Sequence, residues 1–165
     1  MRRKLKAKKE SLPEGLLAER GSKWIYPIYG RRPRQVAYLL KTALGICYLD
    51  GIDVPVDYAE AYRLLSVAAE GGASRAQLAL GQMYAEGHGI PTDLAQARRL
   101  FELAAERGEF IAQIELGRMY SRGVGVPNNQ KLALKWYSAA AAQESRVDDY
   151  EEVREAKAYL ANAKS

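Results

Sequence analysis

The 165-residue sequence predicts an all-α fold. The expected architecture is an α/α superhelical solenoid, a right-handed stack of helix-turn-helix repeats of 36 residues with a C-terminal capping helix. The first observation behind this is a register of 36: Gly45, Gly81 and Gly117; Tyr48, Tyr84 and Tyr120; Gly51, Gly87 and Gly123; Pro55, Pro91 and Pro127; Ala61, Ala97 and Ala133. The second is that each unit carries two stretches of helical apolar period separated by a Gly/Pro turn. Composition agrees, since 48% hydrophobic residues against 27% charged can build a core. One Cys and one His exclude a disulfide framework and a Cys/His zinc site. No apolar run reaches the length of a membrane span or a secretory signal.

The chain divides on paper into three parts: a basic N-terminal arm over 1–35, repeats over 36–147 and a cap over 148–165. The arm holds eleven Lys/Arg against Glu10, Glu14 and Glu19, whereas the rest of the chain holds fourteen bases against seventeen acids. Residues 1–10 read as disordered. Ser11-Leu-Pro13-Glu14 starts a short helix that stops at Gly21, and residues 22–32 read as extended. The Lys-rich opening lacks the apolar face of a transit peptide, so the expected address is the cytoplasm.

Each repeat opens with a helix carrying Leu and Tyr four apart: Leu44/Tyr48, Leu80/Tyr84 and Leu116/Tyr120. The Gly between them costs helix stability, so its recurrence calls for a close neighbour. Gly51, Gly87 and Gly123 suit the left-handed position that ends this helix. Asp57, Asp93 and Asn129 cap the second helix, and Glu60 and Gln96 complete capping boxes. The second helix carries a small-and-large stripe, such as Ala97, Leu100, Phe101, Ala104 and Ala105, and ends at Gly72 or Gly108. At the C-terminus, Asp148-Asp-Tyr-Glu151 opens an amphipathic segment through Val153, Ala156, Tyr159, Leu160 and Ala163, the capping helix.

On these residues the chain resembles the Sel-one-like repeat family, relatives of the tetratricopeptide repeat. The match is carried by Gly87-His-Gly89-Ile90-Pro91-Thr-Asp93 and Gly123-Val-Gly125-Val126-Pro127, followed by Trp136-Tyr137-Ser-Ala-Ala-Ala. Two departures stand out. Asp53 replaces the second loop Gly, so a different turn is expected there, and Glu144 replaces the final Gly of unit three. The resemblance implies an adaptor rather than an enzyme. Some relatives are stapled by disulfides within each repeat, which a single Cys forbids here.

No nucleophile–base–orienter set is legible, so no catalytic residue, cofactor or metal ligand is assigned. His88 reads as a loop residue and Cys47 as a small packing residue. The Gly-x-Gly turns follow helices and lack the Lys-Ser/Thr of a phosphate loop. Two residues from each core Leu the side chain turns by about 200°, to the opposite face. That face presents Thr42, Ile46, Leu49 and Asp50; then Leu78, Gln82, Ala85 and Glu86; then Ile114, Arg118, Ser121 and Arg122. It varies from unit to unit, as a reading surface would. The expected function is therefore a protein–protein interaction module of adaptor, regulatory or inhibitor type. Its concave groove is lined by Ile46, Leu49, Asp50, Leu78, Gln82, Glu86, Ile114, Arg118 and Arg122, and the basic end suits an acidic peptide. The alternative is a nucleic-acid or anionic-surface binder using Trp24, Tyr26, Tyr29, Arg31, Arg32 and Arg34. A monomer or weak dimer is expected.

Overall fold

The computed structural model describes residues 33–143 and 151–163. The chain divides into two compact units, Met1–Val36 and Ala37–Ser165, and the described part of the first is the opening turn of one helix. The expected short helix and extended segment before residue 33, and Glu144, lie outside the described residues. Seven helices and no strand occur among the described residues: α1 Pro33–Asp50, α2 Tyr58–Glu70, α3 Ser74–Glu86, α4 Leu94–Ala105, α5 Phe110–Arg122, α6 Gln130–Ala141 and α7 Glu151–Asn162. From α2 onward each helix packs on the next, and α7 touches both α6 and α5. This is a helical repeat solenoid.

Local chemistry explains the boundaries. Asp57 accepts from the Glu60 amide, Asp93 from the Ala95 and Gln96 amides, and Asn129 from the Leu132 amide, each at 3.0–3.1 Å. Gly51, Gly87 and Gly123 follow the first helices with φ of 70–75°. Asp53 does not change its turn. Its φ is 60°, in the same left-handed region as Gly89 and Gly125 at 71°, a conformation Asp tolerates better than most residues.

The recurring helix glycines have a packing cause. A Cβ on Gly45, Gly81 or Gly117 would come within 2.7–2.8 Å of the Leu65, Phe101 or Tyr137 side chain, respectively. Those three large residues are each at most 2% exposed, at one register of α2, α4 and α6. The first and second helices of a unit therefore meet Gly against a large ring or branched chain. Successive units also interlock: Gly89 lies against Tyr58, and Gly125 against Leu94, so each turn rests on the start of the preceding unit's second helix.

Inner first helices are covered on two flanks. α3 buries every residue from Ala76 to Gly81, plus Met83. Its Leu80 joins the cluster of α2, while its Leu78 joins the cluster of α4 and α5. α1 differs: Leu40 is 66% exposed and Leu44 44%, whereas their counterparts Ala76 and Leu80 are buried.

Candidate protein-binding groove

The groove is built from the arc of α1, α3 and α5 that the second helices leave uncovered. It comprises two adjoining depressions. The larger, about 570 Å³, is lined by Leu39, Thr42, Ala43, Ile46, Gly72, Ala73, Ser74 and Arg75. The smaller, about 260 Å³, is lined by Ile46, Leu49, Asp50, Arg75, Leu78, Ala79, Gln82, Glu109, Phe110 and Ile111. Ile46 and Arg75 belong to both. Apolar side chains thus form a trough with the Arg75 cation at its waist and the acids Asp50 and Glu109 in its smaller half.

Of the residues expected to line a groove, Ile46, Leu49, Asp50, Leu78 and Gln82 come together here. Two of the nine are core residues. Leu78 is 6% exposed and supplies only floor, and Ile114 is 0% exposed beneath Val153 and Ala156 of α7. The expectation treated each first helix as having one buried face; in a stack it has two. Thr42 is also buried, its hydroxyl donating to the Tyr38 carbonyl at 2.7 Å.

The expected basic end is not a free basic end. Arg118 donates to Glu115 at 2.6 Å through Nη1 and to Glu155 at 2.9 Å through Nε, and Arg122 lies 3.6 Å from Glu155. Glu155 sits on α7, which extends the lined face as a further first helix would. The recess there is lined by Arg118, Glu151, Glu152, Arg154, Glu155 and Ala158, three acids against two bases. The hydrogen bond from Arg118 holds the Glu155 carboxyl below its ordinary value. Burial pushes Glu115 the other way, although Arg118 lies beside it. Glu86 is exposed and 3.4 Å from His88 Nε2.

Sequence reasoning missed Arg75. It is exposed and makes no ion pair among the described residues. The signal was available, because Arg75, Leu78, Ala79, Gln82 and Glu86 follow helical spacing along one stripe of α3. Of the basic and aromatic patch, Arg34 is exposed in the first turn of α1, and Trp24, Tyr26, Tyr29, Arg31 and Arg32 lie outside the described residues. His88 stacks on Tyr58 with ring centroids 5.2 Å apart. Cys47 is half-buried. Among the described residues no cluster of three metal-ligating side chains occurs, and no helix is long and apolar enough to cross a membrane.

The family model described as Sel1 repeat matches residues 42–72, 74–109 and 111–145. Among solved structures, a Sel1 repeat protein from Oxalobacter formigenes is similar at 38% identity, with 76% of this chain and 88% of that one covered and a TM-score of 0.64. A protective antigen with an SLR fold, present in uropathogenic Escherichia coli strains, is 39% identical over 68% of this chain, with a TM-score of 0.63. This chain spans only 24% of that antigen's length. Cysteine rich protein B of Helicobacter pylori shares the fold at 23% identity, over 66% of this chain and 84% of its own, with a TM-score of 0.57. No curated protein matches the chain.

Proposed function

Because the chain belongs to the Sel1 repeat family, whose members are generally protein-interaction modules, we propose that it is a binding adaptor or inhibitor that seats a peptide of its partner in the trough of α1, α3 and α5. The observation that carries this reading is the apolar depression of about 570 Å³ with Arg75, which has no ion pair among the described residues, at its edge. An apolar side chain fills such a recess, and a carboxylate one or two residues away meets the guanidinium. The fitting partner presents an extended or helical segment with an apolar anchor beside an Asp or Glu. The acidic contact thus moves from Arg118 and Arg122, which α7 engages, to Arg75.

The test is capture from native lysate by the full-length chain, with and without nuclease, beside the variants Arg75→Glu and Ala43→Arg. Both substitutions fall on exposed positions, where stability changes stay within about 0.5 kcal/mol. A nuclease-resistant protein that is lost with both variants supports the groove. Capture that survives both variants overturns it, and capture that vanishes with nuclease transfers function to the basic arm.

A further inference from the structure

We propose that the crevice between α2 and α4, apart from the groove, binds a neutral carboxamide side chain of a partner protein. The crevice holds about 420 Å³ between Tyr62, Ser66, Leu80, Tyr84, Leu100 and Leu103. Gln77 also lines it and is 3% exposed. Its Nε2 donates to the Ala69 carbonyl at 3.1 Å, which fixes the orientation of the amide. Among the described residues its Oε1 is then a buried acceptor with no partner, and the buried Ser66 hydroxyl has none either. Buried polar groups are rarely left so.

The next crevice, 36 residues on, displays the complement. There Gln113 donates to the Ala105 carbonyl at the same 3.1 Å, and its Oε1 accepts from the Gln143 amide at 3.0 Å. Glu102 stands where the first crevice has Ser66, Trp136 where it has Leu100, and Arg98 where it has Tyr62. Arg98 and Glu102 pair at 2.6 Å. The molecule thus gives the second site larger or mutually paired side chains and its own carboxamide. In the first, smaller Ser66 and Leu100 leave room, and Arg107, at the register of Gln143, donates instead to the Gly72 carbonyl.

A carboxamide carries what both orphaned groups lack, an N–H for Gln77 Oε1 and an oxygen for the Ser66 proton, and takes them once a small side-chain shift uncovers these two buried atoms. A carboxylate would set acceptor against acceptor. Glu70 and Arg99 contribute opposite charges to the wall, so no charged head is favoured. The leucines suit the methylenes of a glutamine.

The probe is acetyl-Leu-Gln-Leu-amide, titrated into the full-length chain while the side-chain amide of Gln77 is followed by NMR. A saturable shift is expected, weakened about tenfold or more when the probe's Gln becomes Glu or Met. Arg107→Gln, an exposed change that supplies an internal amide, should remove binding, as should Ser66→Glu with Leu100→Trp. Arg75→Glu should leave it intact, so failure here and failure of the groove are separable. No saturable shift, equal response to all three probes, or an ordered water that stays on Gln77 Oε1 in a probe-soaked crystal would overturn the proposal.

Discussion

The two ends of the lined face use one register position in opposite ways. Ile46 on α1 opens into an apolar recess beside Arg75, which has no ion pair among the described residues, whereas its counterpart 72 residues later, Arg118, is held by carboxylates from its own helix and from α7. One end keeps a recess, and the other fills the same register with internal ion pairs. A repeat scaffold can keep its core positions constant while the same surface site serves recognition in one unit and termination in another.

The largest effect expected at the closed end comes from Tyr137→Ala. Tyr137 is 1% exposed and packs with Val153 and Ala156 of α7. Its loss should cost about 3–5 kcal/mol. Hydrogen exchange should rise throughout α7, whereas Leu65→Ala, at the same register of α2, should leave α7 protected. Equal protection loss in both variants would show that the ends are not independent.

Next is Arg118→Glu, which sets a third acid beside Glu115 and Glu155. With the pair about 30% exposed, a loss of about 2 kcal/mol in chemical denaturation is expected. Any capture through the groove proposed at Arg75 should persist.

A smaller effect depends on pH. Glu155 is held below its ordinary 4.5, first by the hydrogen bond from Arg118. Its contribution is full above that value and is lost as pH falls through the lowered folded value. Glu155→Gln should therefore cost about 1 kcal/mol at neutral pH and converge with the parent in acid melting curves. Glu115 has the opposite sign, because burial raises it and its penalty grows as pH climbs past 4.5. Glu115→Gln should be neutral or stabilising at neutral pH. The smallest effect falls at the open end, where Asp53→Gly should raise stability by about 0.5 kcal/mol by relieving a left-handed φ.

Much of this was legible in the sequence. The register of 36 gave the helix pairs, and Asp57, Asp93 and Asn129 gave the starts of the second helices, because capping is local chemistry. The placement of the candidate groove residues was half legible. Leu78 and Ile114 fell on the wrong side because helical periodicity locates one apolar stripe, and a helix between two neighbours buries two. The commitment of Arg118 was hidden because Glu155 lies 37 residues away on another helix, a distance no local pattern spans. The turn at Asp53 kept its shape because its partners, the 47 carbonyl accepting from Ile52 and the 48 carbonyl accepting from Asp57, are backbone groups indifferent to the side chain.

The seating of Gly89 on Tyr58 and of Gly125 on Leu94 has a mechanical consequence. Each turn sits on the unit before it, so parting two units breaks this seat as well as the helix contacts. Under tension applied from the C-terminal end, α7 is expected to leave first and the seats of Gly125 and Gly89 to open after it, in reverse chain order. The unit that α1 and α2 form is then the last to yield.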